Sequence, residues 1–196
     1  MANTHILDRD ELSKHISATI GKEKVLQLTA ILHEQQFAIR DLITITFHAE
    51  KEVAFRASWI LENLLLADPL RFLDEVEYLV AQFFKVENRS CQRHYLKILD
   101  YLTAAQTDKL LKAKIVAIDM EPVAEHCFDL LIDPEAPEAV KVFSCQVLFN
   151  LHSRYDWISE MLTEQIRILM YGGKPAIRSR GQALLKQLSN SAKRLW

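Results

Sequence analysis

Two adjacent apolar residues followed by a leucine three positions later recur four times along this chain. The matches are Ile60-Leu61-x-x-Leu64, Ile98-Leu99-x-x-Leu102, Val147-Leu148-x-x-Leu151 and Leu184-Leu185-x-x-Leu188. The spacing i, i+1, i+4 puts all three side chains on one face of a helix. The steps between matches are 38, 49 and 37 residues, which is about the length of two helices and their turns. One such pair cannot bury its apolar face alone, so the pattern constrains the chain to a stack of helix pairs.

The rest of the chain supports helices. Glycine (4) and proline (5) are scarce, too few for the many turns of a strand-rich fold. Apolar stripes at helical spacing run through Val25, Leu28 and Leu32, and through Ile39, Leu42, Ile43 and Phe47. A third joins Val53, Ala57, Ile60, Leu61 and Leu64. The pentads mark second helices. Their partners are expected at residues 36–48, 70–86, 121–132 and 156–171, and TDKLLKAKIVAIDMEP reads as an extra short helix in the long step. Asp68-Pro69 reads as a helix stop and start with Asp68 capping, and Asp133-Pro134 repeats the device. Gly172-Gly173 ends a helix and Pro175 opens the next. The expectation is an all-α, right-handed α-α superhelix of about four helix pairs. It forms one domain over 1–196, with an N-terminal cap at 1–34 and repeats at 35–67, 69–103, 104–154 and 155–193.

The stretch RASWILENL, residues 56–64, is similar to the third-helix pattern of armadillo repeats: a small residue, Trp, three further positions of which two are apolar, Asn and Leu. Across roughly residues 35–190 the units resemble the HEAT and armadillo superfamily. The armadillo glycine turn and third helix are missing, and the Asp and Pro features of HEAT units occur only in part. The resemblance implies a groove in which Asn holds a peptide backbone and Trp forms a slot for long side chains. It thus implies a non-catalytic scaffold for a protein or peptide. Trp59 and Asn63 are four apart and share a helix face. Carried forward, the Asn63 column holds Tyr101, Asn150 and Gln187, and the Trp59 column holds Lys97, Gln146 and Ala183. The competing reading is that Trp59 is a large packing residue and the polar column is solvated.

Charge supplies a second candidate. Net charge is −2 and the pI is about 6.4, which argues against a surface built throughout for nucleic acid. Yet no acidic residue follows Glu164, whereas Arg167, Lys174, Arg178, Arg180, Lys186, Lys193 and Arg194 do. This basic patch could take phosphate or an acidic partner. Helix-dipole stabilisation, or the polar outer face of a terminal repeat, would account for it equally. A nucleic-acid-binding reading, related in architecture to the alkylpurine DNA glycosylases built from HEAT-like repeats, is the alternative. It would draw on Trp59 with Asp100 or Glu62 around an extruded base.

Other chemistry is poorly represented. Cys91-x-x-His94, the adjacent His126-Cys127 and His48 with Glu50 and Glu52 do not assemble four convergent ligands, so no metal or other cofactor is expected. Three cysteines, Cys91, Cys127 and Cys145, are no disulfide framework and suit a reducing compartment. G-x-S-x-G, P-loop and Rossmann glycine patterns are absent. With no signal-like start and no long apolar run, the reading is a cytoplasmic protein away from membranes. The apolar tail pair Leu195 and Trp196 would suit a dimer.

Overall fold

The computed structural model describes residues 8–18 and 21–193. They are all-helical and hold no strand. The helices are α1 Arg9–Ala18, α2 Lys22–Glu34, α3 Ile39–Ile45, α4 Lys51–Ala67, α5 Val76–Phe83 and α6 Arg89–Thr103. A 3-10 helix, Pro69–Glu75, precedes α5. Then follow α7 Lys109–Ala117, α8 Glu121–Ile132, α9 Glu138–Leu151, α10 Trp157–Met170 and α11 Pro175–Lys193. The four pentads lie on α4, α6, α9 and α11, and α7 is the extra helix of the long step. The contacts fall into two compact units, residues 1–98 and 99–196, and the division cuts α6.

In the first unit α4 is the central element, packed on α1, α2 and α3. Val53, Ala57, Ile60, Leu61 and Leu64 are buried there with Leu12, Ile16, Val25, Leu28, Leu32, Leu42 and Ile43. Truncating one such leucine to alanine costs about 2–5 kcal/mol. In the second unit α9 is central and contacts α8, α10 and α11. Val147, Leu148 and Leu151 are buried against Val123, Cys127 and Leu131 of α8 and Ile158, Leu162 and Ile166 of α10.

Arginines close several helix ends. The last carbonyls of a helix have no partner within it. Arg56 Nη1 donates to Ser17 O of α1 at 2.9 Å, and Arg71 Nη1 to His33 O of α2 at 3.0 Å. Arg154 Nη1 donates to Ile115 O of α7 at 2.9 Å, and its Nη2 to Ile118 O just beyond that helix at 2.7 Å. A cation here also opposes the negative end of the helix dipole.

Three local expectations need correction. Phe47 does not continue the α3 stripe: the helix ends at Ile45 and Phe47 is exposed. Asp68 makes no capping hydrogen bond. Its carboxylate lies 3.6 Å from His33 Nε2, and the segment that Pro69 opens is 3-10 before it becomes α-helical. Asp133-Pro134 opens no helix. Asp133 Oδ1 accepts from Glu135 N at 2.8 Å, which closes a turn, and α9 begins only after Pro137.

Candidate functional site

Helix α4 is buried on two faces, and this creates the most distinctive side-chain cluster of the first unit. Besides its pentad face, Ala54, Ser58, Glu62 and Leu65 are also buried. They recur at i, i+4, i+8 and i+11, a second stripe. Through this stripe Glu62 meets α6. Glu62 is 5% exposed. His94 Nδ1 lies 2.5 Å from Glu62 Oε2, and Lys97 Nζ donates to Glu62 Oε1. Arg93 Nη2 is 3.4 Å from His94 Nε2.

Burial alone would raise the Glu62 carboxyl, but hydrogen bonds from His94 and Lys97 outweigh it and hold the group below the usual carboxylate range. Burial is the main reason His94 is held below its ordinary value, with Arg93 and Lys97 adding to it and Glu62 opposing it. The consistent assignment is an ionised Glu62, a cationic Lys97 and a neutral His94. That imidazole carries its proton on Nδ1, donates to Glu62, and accepts from Arg93 at Nε2. Both Glu62 oxygens are therefore engaged.

On the outer arc of α4, Phe55 and Trp59 are half-buried and Leu66 is exposed. The Phe55 and Trp59 rings lie 5.9 Å apart, and both pack on His94. Phe55 is tilted to it at 5.3 Å, and Trp59 is stacked on it at 6.3 Å with an interplanar angle of 20°. The buried ion network thus fixes the imidazole that supports the indole. Lys97, 36% exposed, stands beside them with its head tied to Glu62.

The polar column is less available. Asn63 Nδ2 donates back to Trp59 O at 2.7 Å. Asn150 Nδ2 donates to Asp100 O, Asp100 Oδ1 and Thr103 Oγ1 at 2.9–3.1 Å, and Asn150 Oδ1 accepts from Gln146. Of these amides, only that of Asn150 ties two helices together, α9 to α6 within the second unit; Asn63 bonds within α4. Tyr101 is half-buried, and Ala183 and Gln187 are exposed.

A family model for a HEAT repeat domain matches residues 12–188. The chain belongs to the HEAT repeat family. No curated protein and no solved structure matches it.

Elsewhere on this HEAT repeat chain, Arg178, Arg180 and Lys186 are exposed along α11, Lys174 is exposed in the turn before it, and Arg167 is exposed on α10. Lys193 closes α11. Arg194, Leu195 and Trp196 lie outside the described residues. The three cysteines are free and buried. Burial pushes their thiols up, that of Cys145 to about 12. Among the described residues no group of three or more His, Cys, Asp and Glu could hold a metal ion, and no helix is long and apolar enough to cross a membrane. A cleft of about 520 Å³ between residues 46–54 and 85–89 mixes Lys51, Lys85 and Arg89 with Glu87.

Sequence reasoning named Trp59 and Lys97 here and passed over Phe55 and Arg93. It weighed Glu62 for base chemistry and His94 as a metal ligand and as a member of the mixed Arg56 column. Phe55 was findable, standing one turn before Trp59. Glu62 and His94 were not, because each is polar at a position that a one-faced helix would leave in water.

Proposed function

We propose that this HEAT repeat chain is a non-catalytic scaffold that binds a protein or peptide through the outer arc of α4 and the adjoining edge of α6. The supporting observation is the Trp59 indole, half-buried and stacked on an imidazole that Glu62 holds from behind. A large aromatic group held still before binding loses little freedom on association, and such residues dominate interface energetics. Phe55 and Leu66 extend the apolar strip, and Arg93 and Lys97 border it with cationic character. Glu62 is buried and paired with His94 and Lys97, which suits a structural role better than that of a base open to a substrate.

The test is affinity capture with the full chain from a lysate of the source cells, wild type beside Trp59→Ala, after circular dichroism has verified equal helix content. Loss of a specific partner in the variant, with affinity weakened by about 30-fold or more, supports the reading. An identical set of captured proteins from both forms removes Trp59 from any interface.

A further inference from the structure

The turn between α10 and α11 presents a nearly bare aromatic ring. Tyr171 is 94% exposed. Its backbone N–H bonds to Arg167 O and Ile168 O at the end of α10, and Gly173 N bonds to Met170 O at 3.3 Å. Gly172 has φ +81°, and a Cβ at residue 173 would lie 2.2 Å from Leu169 O. Two glycines therefore let the turn fold back on its own helix and hold the ring outward.

Cations flank this ring along the chain. Arg167 stands one helical turn before it, Lys174 three residues after it, and Arg178 one turn further along α11, all exposed. A cleft of about 330 Å³ is lined by Tyr171, Gly172, Gly173, Lys174 and Lys141. Its one carboxylate, Glu138, lies 4.0 Å from Lys174 Nζ. Beyond the cleft Arg180 and Lys186 continue the charge along α11. Seven of the chain's 24 cations and none of its 26 carboxylates follow Glu164.

We propose that the Tyr171 turn and the basic face of α11 bind single-stranded nucleic acid, one base stacking on Tyr171 while Arg167, Lys174, Arg178 and Lys186 take backbone phosphates. An open ring among cations can stack on an unpaired base, and such stacking tolerates any sequence. In a duplex the base faces are already covered. The carboxylates of an acidic peptide would meet the cations but not the ring, whose negative π-face repels them. Arg, Lys and the short polar side chains Ser179 and Gln182 on the same helix are the groups that bond phosphate oxygens. The proposal involves only the second unit and stands independently of the Trp59 site.

The experiment is fluorescence anisotropy of a labelled oligothymidylate of about 12 nucleotides with the full chain, at salt from about 50 to 200 mM. Wild type, Tyr171→Ala and the double variant Arg178→Glu/Lys186→Glu are compared, and duplex DNA and polyglutamate serve as competitors. Tyr171 makes so little packing contact that its variant should keep the wild-type melting temperature. Expected are saturable binding by wild type, about tenfold weaker binding by Tyr171→Ala with the salt slope unchanged, and a shallower slope for the double variant. Absence of binding at low salt overturns the proposal, as does equal binding by Tyr171→Ala. Competition by duplex or polyglutamate as strong as by the single strand also overturns it, and in the latter case makes the patch a site for an acidic protein.

Discussion

Glu62 occupies a position where an isolated carboxylate would be costly, and its partners give the neighbourhood a pH response. His94 is held below its ordinary value of 6.5, mainly by burial. The unfolded chain therefore takes up that proton at a higher pH than the folded chain does. The stability His94 contributes is complete above 6.5 and is lost as pH falls through its folded value. Glu62, held below its ordinary 4.5, adds a loss of the same sign at lower pH. Melting temperature should accordingly fall as pH drops below 6.5. His94→Asn keeps a donor near Nδ1 without a titrating ring, and should flatten the upper part of that decline. An unchanged decline would mean that other groups carry it. Removing the imidazole outright with His94→Ala leaves buried Glu62 with Lys97 alone. It should cost about 3 kcal/mol or more in urea denaturation, and it should loosen Trp59 at the same time.

Helices show where one-dimensional reading succeeds and where it stops. The pentads on α4, α6, α9 and α11 were legible because burial on one face imposes a 3.6-residue period on the sequence. The second buried face of α4 was not. Ala54, Ser58, Glu62 and Leu65 include two polar residues, and only a neighbour such as α6 makes that stripe interior. The arginine caps were equally hidden, because each acceptor lies on another helix: Ser17 is 39 residues from Arg56, His33 is 38 from Arg71, and Ile115 is 39 from Arg154. Those separations are close to the 38-residue first pentad step, so the caps follow the repeat and not the local sequence. The polar column was visible in the sequence, but its partners were not. Asn150 joins α9 to the end of α6, its two amide hydrogens shared among three acceptors, so Asn150→Ala should lower stability by about 1–3 kcal/mol. Asn150→Asp should cost more, because it sets a carboxylate against Asp100, whose own carboxyl burial already raises. Urea midpoints of the two variants test this, and a neutral Asn150→Ala would return that amide to the pool of groups available for a partner.

At the scale of the whole molecule, net charge conceals how charge is arranged. With a pI near 6.4 the chain is negative at pH 7.5, and a protein with evenly mixed charge of that sign flows through a cation exchanger. Here all 26 carboxylates precede residue 165, while seven cations follow it. A chromatographic surface responds to the local field within about a Debye length, roughly 10 Å at 0.1 M salt, and not to the sum over the molecule. The full chain should therefore be retained on a cation exchanger at pH 7.5 and low salt despite its negative net charge, and elute as salt rises. Arg178→Glu/Lys186→Glu should abolish retention, whereas reversing two exposed lysines of the first unit, Lys22→Glu/Lys24→Glu, should leave it nearly unchanged although both pairs shift net charge equally. Equal losses from the two double variants would show that net charge governs retention, and would deny the last helix a field of its own.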